Sequence, residues 1–157
     1  MTGRIAVGFI VVAALLAGAA LWWLQEYAFY EAVAFPPGAE IMLTPAAGGP
    51  PEPIEAQGVT GIDATSSPIR FRACFQTPIP LAVLSETYTP YPAAVPLVAP
   101  RWFACFDAGM IGAALERGEA RAFLSAAQVR PDVDRVVAVF PDGRGFAWTQ
   151  LAPGAAR

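Results

Sequence analysis

The sequence predicts an α+β fold in which a single N-terminal transmembrane helix precedes a small disulfide-linked extracytoplasmic domain. Three observations support this prediction. Residues 5–24 form an unbroken apolar run, two cysteines (Cys74 and Cys105) lie in the remainder, and the C-terminal third contains β-rich runs that meet at a turn signal. Helices followed by consecutive strands are typical of α+β architecture, which here ends in a C-terminal antiparallel meander.

The apolar run, IAVGFIVVAALLAGAALWWL, contains no charge and no proline. As a helix it spans the roughly 30 Å hydrocarbon core of a bilayer. We expect the helix to continue to about Phe35, before Pro36-Pro37, so residues 1–35 are predicted to form an anchor with an aromatic collar. Four aromatic residues are predicted to lie at the membrane interface: Trp22, Trp23, Tyr27 and Tyr30. The collar lies either among the lipid headgroups or against its own domain.

The charges that flank the run predict its orientation. Arg4 precedes it, whereas Glu26 and Glu31 follow it. Because cytoplasmic flanks retain basic residues, we expect a single-pass protein of the bacterial inner membrane with a cytoplasmic N-terminus and a periplasmic domain. The alternative is a signal peptide cleaved at residues 17–19 (Ala-Gly-Ala). The anchor is favoured because the run is longer than the usual apolar region of a signal peptide.

Small residues follow one face of the predicted helix at spacings of four: Ala13, Ala14, Ala17 and Gly18. Such faces let a second transmembrane helix approach closely, so these residues are predicted to pack against a partner helix. The alternative explanation is an alanine-rich composition.

Composition excludes several classes of function. The chain has 157 residues, a formal net charge of -3 and no histidine. Nucleic-acid binding requires a basic face, so no nucleic-acid partner is expected. Without histidine the chain lacks the commonest general base and metal ligand. We therefore expect no enzyme, no catalytic residue, no metal and no cofactor, and the sequence identifies no small-molecule substrate.

The two cysteines are too few for a structural zinc site without histidine and too far apart for a CxxC redox pair. In an oxidising compartment the simplest expectation is a disulfide between Cys74 and Cys105.

The remaining chain is predicted to form three parts. Residues 36–67 are rich in proline and glycine and are expected to form a linker with short strands at 40–44 and 54–62. Residues 68–152 are expected to form the α+β domain, and residues 153–157 a tail.

Within the domain, residues 69–76 (IRFRACFQ) alternate between apolar and polar side chains, which predicts a strand. A short helix is expected to follow from Pro80, with Leu81, Leu84 and Tyr88 on one face. Residues 89–100 contain four prolines among apolar residues. They form either a contact surface or a connection packed over the core.

Asp107 is predicted to cap a helix that Gly118 ends. Residues 119–126 fit a helix or a strand, and a strand is favoured because Gly118 stops the helix. Two β-rich runs, 134–140 and 145–151, are expected to form a hairpin around Asp142-Gly143.

The remaining candidate sites are groups of arginine and carboxylate side chains. A disulfide would bring Arg70, Arg72 and Arg101 close together, where guanidiniums bind anionic groups of lipid or of a partner. The alternative is a solvated face. Two carboxylate pairs, Glu116/Glu119 and Asp132/Asp134, lie in polar stretches that offer no reason for a raised pKa, so chemistry is not expected there.

Four sequence segments resemble those of a known family: LWWLQEYAFYEAV, GIDATSSPIRFRACFQTP, APRWFACFDAGMIGAALERGEARAFL and RVVAVFPDGRGFAW. Together they resemble an uncharacterised family, a domain of unknown function, of short single-span membrane proteins from alphaproteobacteria. The resemblance implies a membrane-anchored bacterial protein and assigns no residue a role.

The expected function is that of a non-catalytic accessory subunit that stabilises or assembles a bacterial inner-membrane complex. Respiratory or photosynthetic electron-transfer complexes are candidate hosts, and the expected partners are membrane lipid and the transmembrane helices of that complex. The alternative is a free-standing periplasmic sensor or ligand-binding module, with a pocket in the region of the arginines and cysteines.

Overall fold

The computed structural model describes residues 2–155, so Met1 and the last two residues of the predicted tail lie outside the described residues. Three helices and eight strands are described, in this order: α1 (Thr2–Glu26), β1 (Tyr30–Ala32), β2 (Ile41–Leu43), β3 (Glu52–Ile54), β4 (Gln57–Ala64), β5 (Arg72–Gln76), α2 (Leu81–Thr87), α3 (Ala108–Glu116), β6 (Arg121–Arg130), β7 (Val133–Val139) and β8 (Arg144–Leu151).

The N-terminal helix is shorter than the sequence predicts. It ends at Glu26 and not near Phe35, because Tyr30–Ala32 pairs with β4 as an antiparallel edge strand. In this pairing Tyr30 lies opposite Ala64. This segment therefore forms a strand through its pairing with a distant strand, although Glu31 and Ala32 favour helix over strand.

Six strands form one antiparallel sheet in the order β1-β4-β5-β8-β7-β6. β2 and β3 form a separate two-stranded ribbon. The predicted linker, residues 36–67, contains three strands. β2 lies within the strand expected at 40–44, whereas the strand expected at 54–62 overlaps the end of β3 and most of β4. Because β4 lies inside the main sheet, however, this segment is part of the folded domain.

Both faces of the main sheet are buried. β5 alternates as predicted, with Ala73 and Phe75 on one face and Cys74 on the other. The first face is covered by the β2–β3 ribbon and α2, which contribute Leu43 and Leu84. The second is covered by α3 and by the chain before it. The sheet is thus the middle layer of three.

Local signals in the C-terminal half are confirmed. The Asp107 side chain accepts a 3.0 Å hydrogen bond from the Met110 N–H at the start of α3. Strand β6 resolves the ambiguity at residues 119–126 in favour of a strand. β7 and β8 pair around Asp142-Gly143, where Gly143 has a φ of 85°, a conformation that glycine adopts without strain. The predicted α+β fold with a C-terminal meander is confirmed.

Candidate interaction surfaces

Almost the whole of α1 lies outside the folded domain. Every residue from 3 to 25 is exposed, and Gly3–Glu26 is the one helix within residues 2–155 that is long and apolar enough to cross a membrane. The predicted partner-helix face, Ala13, Ala14, Ala17 and Gly18, lies within this stretch. A Cβ added at Gly18 would meet nothing within 4 Å. The face is therefore open to a neighbouring helix.

The aromatic residues beyond the apolar run contact the domain. The Tyr27 ring stacks on Trp23, with 5.1 Å between centroids, and lies 6.4 Å from the ring of Trp102. Tyr30 packs edge-on against the same Trp102 ring at 6.1 Å. Of the two alternatives for the collar, packing on its own domain describes Tyr27 and Tyr30, whereas Trp22 and Trp23 remain more than half exposed.

The expected disulfide is present between Cys74 in β5 and Cys105 in the loop before α3. The two Cα atoms lie 6.3 Å apart, and the residues are separated by 31 positions in the chain. The bond attaches the second covering layer to a central strand of the sheet.

The predicted arginine cluster is wrong for Arg72. Its side chain is 3% exposed, and it donates hydrogen bonds to four carbonyl oxygens, those of Ile69, Phe71, Leu97 and Val98. Burial lowers the pKa of Arg72 to about 10. Its donors are satisfied within the fold, so it is a structural residue and no contact for an external anion.

The other two arginines of that prediction are placed differently. The guanidinium of Arg70 lies 5.3 Å from the centre of the Tyr30 ring. Arg101 is exposed, and its backbone N–H donates to a carboxylate oxygen of Glu26 at 3.1 Å. Of the three arginines, Arg101 is the exposed one, and its backbone lies beside the end of α1.

Residues 89–100, here called the proline segment, are fastened across the second face of the sheet by buried polar side chains. Gln150 accepts from the Val95 N–H at 2.8 Å and donates to the Ala93 carbonyl at 2.9 Å. The Tyr91 hydroxyl donates to Asp134 at 2.9 Å. Four of the twelve residues in the segment are prolines, which have no N–H, and these side chains add contacts that hold the segment to the sheet.

Sequence reasoning missed this role of Gln150 and Asp134. The sequence carried little signal for it, because Asp134 neighbours Arg135 and Gln150 neighbours Thr149, and polar neighbours favour an exposed position. The contacts with the proline segment are what show that these two side chains are buried and paired.

A groove of about 930 Å³ lies between the proline segment and α3. Its walls are mostly small or apolar, and they include Pro92, Val95, Pro96, Gly109, Gly112 and Ala113. Glu116 and Arg121 also line it. The sensor hypothesis expects a pocket at Arg70, Arg72, Arg101 and the two cysteines, and none of these residues lines this groove.

The two predicted carboxylate pairs differ in their surroundings, as Asp134 and Glu119 show. Asp134 is buried, and besides Tyr91 it accepts from the Gln128 N–H at 2.9 Å. Glu119 is exposed and forms an ion pair of 2.7 Å with Arg117. Within the described part of the chain, no three Cys, Asp or Glu side chains are placed to hold a metal ion.

These features define a small α+β protein with one disulfide, carried behind an N-terminal apolar helix of membrane-spanning length. The chain belongs to a family of unknown function, DUF6446, whose sequence model matches residues 41–156. The match begins at the first residue of β2 and leaves α1 and β1 outside it. No curated protein and no solved structure matches the chain.

Proposed function

We propose that this protein is a non-catalytic accessory subunit of a bacterial inner-membrane complex. In this proposal α1 stays uncleaved and anchors the chain with its N-terminus in the cytoplasm. The disulfide-linked domain then lies on the periplasmic side, where oxidising conditions maintain the bond.

The observation that carries the proposal is the complete exposure of residues 3–25. An apolar helix with no cover from its own domain requires lipid or other helices around it. Its face of small residues favours helices, because close backbone approach gives packing that lipid tails do not match. The resemblance to alphaproteobacterial proteins directs the search for a host toward respiratory and photosynthetic electron-transfer complexes.

A second candidate, a membrane-anchored periplasmic sensor or ligand-binding module, is favoured by the groove of about 930 Å³ beside α3. Pockets that hold small ligands have volumes of roughly 300–1,000 Å³. In this candidate α1 anchors the domain without a permanent partner.

The experiment that tests the proposal is a mild-detergent pull-down of the tagged full chain from its native membrane, followed by mass spectrometry. Recovery of the subunits of one membrane complex in stoichiometric amounts supports the accessory role and names the host. Recovery of the chain alone contradicts that role and transfers support to the binding module.

A further inference from the structure

We propose that residues 97–103, here called the Trp102 loop, form a second membrane contact in which Trp102 and Arg101 lie among phospholipid headgroups beside the end of α1. The proposal rests on the proposed anchoring of α1 and adds to it a fixed placement of the domain on the bilayer surface.

The Trp102 loop is hydrogen-bonded directly to the anchor helix. The indole N–H of Trp102 donates to the carbonyl oxygen of Glu26 at 2.6 Å. That oxygen belongs to the last turn of α1, where carbonyl groups lack partners within the helix. The Arg101 N–H binds the carboxylate of the same residue at 3.1 Å. The backbone carbonyl and the side-chain carboxylate of Glu26 thus both accept hydrogen bonds from consecutive residues of the loop.

The position of Trp102 along the axis of α1 determines its depth in the bilayer. Leu24 is the last residue of the apolar run, and Glu26 follows two positions later. At a helical rise of about 1.5 Å per residue, the Glu26 carbonyl lies about 3 Å further along the axis. When residues 5–24 fill the hydrocarbon core, the Trp102 ring therefore lies at the boundary between acyl chains and headgroups.

The Trp102 loop is attached to the domain at its start and just after its end. The loop is fixed to the sheet by Arg72, whose guanidinium binds the carbonyl oxygens of Leu97 and Val98. The disulfide at Cys105 follows two residues after the loop ends. The loop thus holds its position relative to both the domain and α1.

The exposed side chains of the Trp102 loop suit a phospholipid surface. Trp102 is 42% exposed in spite of its contacts with Tyr27 and Tyr30, and Val98 is 80% exposed. Tryptophan is enriched at membrane interfaces, where its ring meets acyl chains and its N–H meets polar groups. An exposed arginine next to it suits a lipid phosphate, which accepts paired hydrogen bonds from guanidinium. The loop thus has the apolar and cationic groups that a phospholipid surface binds.

The test measures quenching of Trp102 fluorescence by brominated lipid in the reconstituted full chain. The vesicles are phosphatidylcholine with bromine on the acyl chains, either close to the headgroup or close to the bilayer centre. The variant Trp22→Phe/Trp23→Phe retains Trp102 and Trp148, and the further variant with Trp102→Phe retains Trp148 alone. Trp148 is fully buried in the domain, so it serves as the reference that lipid does not reach.

The expected result is that the difference between the two variants, which is the Trp102 emission, is mostly lost with bromine close to the headgroup and much less affected by bromine at the centre. Unchanged Trp102 emission, with Trp22 and Trp23 quenched in the wild-type chain, overturns the inference and leaves the anchor intact. No quenching of Trp22 and Trp23 overturns the anchor as well.

A protein partner is the remaining occupant. If Trp102 is not quenched and the Trp102→Ala chain no longer recovers its partners in the pull-down, the loop is a protein contact and the lipid assignment is wrong.

Discussion

The Nε atom of Arg72 in β5 donates a 2.7 Å hydrogen bond to the carbonyl oxygen of Leu97, 25 residues further along the chain. Cys74, on the same strand, holds Cys105 through the disulfide. A single strand in the sheet therefore fixes the proline segment, one wall of the groove and the position of the Trp102 loop. The surfaces proposed to act depend on these two attachments.

Replacement of Arg72 tests the first attachment. Arg72→Met keeps an apolar stem but leaves four carbonyl oxygens without their donor. We expect the free energy of unfolding to fall by about 3 kcal/mol, because buried acceptors lose charged hydrogen bonds. Urea unfolding of the detergent-solubilised chain measures the loss. The control is Arg101→Met at an exposed position, where a change below about 0.5 kcal/mol is expected. Equal effects would contradict the assigned roles.

Removal of the disulfide tests the second attachment. Closure of a 31-residue loop is worth roughly 3–4 kcal/mol in the chain-entropy model, so Cys74→Ala/Cys105→Ala is expected to lose up to about that amount. Reductant should destabilise the wild-type chain similarly and leave the double variant unchanged. Thiol labelling of the native protein without reductant should modify neither cysteine. Two labelled cysteines in the folded protein would contradict the bond.

Glycine at position 145 is required by its neighbour across the sheet. Gly145 pairs with Phe75, whose ring covers the place where a Cβ would stand. Gly145→Ala is expected to cost about 1–3 kcal/mol through overpacking, measured by thermal or urea unfolding. In the control, Gly112→Ala in α3, the new Cβ meets only the Pro96 Cδ at 4.0 Å. That change should instead add up to about 1 kcal/mol, since alanine favours helix over glycine. A neutral Gly145→Ala would show that the ring moves aside freely.

The Tyr91–Asp134 hydrogen bond gives the stability a dependence on alkaline pH. Burial, together with the bond to Asp134, raises the pKa of Tyr91. The folded chain then holds the phenolic proton more tightly than the unfolded chain, so this contribution is complete below about pH 10 and declines above it. Tyr91→Phe should lower stability at neutral pH by about 1–3 kcal/mol and flatten the decline above pH 10. Tyr27→Phe, at an exposed ring, is the control, and an unchanged pH profile in Tyr91→Phe would refute the assignment.

Much of the fold could be predicted because its signals are local. Asp107 caps a helix through an N–H three residues away, and Asp142-Gly143 turns a hairpin within four residues. The strand around Cys74 is likewise predicted by the alternation of apolar and polar side chains. None of these depends on where the rest of the chain lies.

The sites depended on distant contacts and were harder to predict. Alternation placed Arg72 opposite the apolar face of β5, which suggested solvent, yet the proline segment covers that face. Cys74 shares this face, and its bond to a residue 31 positions away was the available sign that chain lies over it. The strand at Tyr30 and the Trp102–Glu26 bond likewise join parts of the chain that no local pattern relates.

The small-residue face of α1 makes a prediction about partners. Ala14→Leu/Gly18→Leu adds bulk where the chain itself has open space, so the fold should be unchanged while a partner helix is displaced. Recovery of partner subunits in the pull-down should fall strongly. Ala19→Leu, on the opposite side of the helix, is the matched control and should retain them. Equal recovery from both would mean that this face has no partner helix.

The most direct test of the accessory role is the native mass of the particle that carries the protein after extraction in a mild detergent. A 16.5 kDa chain in its own micelle forms a small particle. As an accessory subunit, the protein is expected to migrate with one much larger, defined membrane complex and to stay with it through a second separation. Migration of all the protein as a single chain in a micelle would contradict the accessory role.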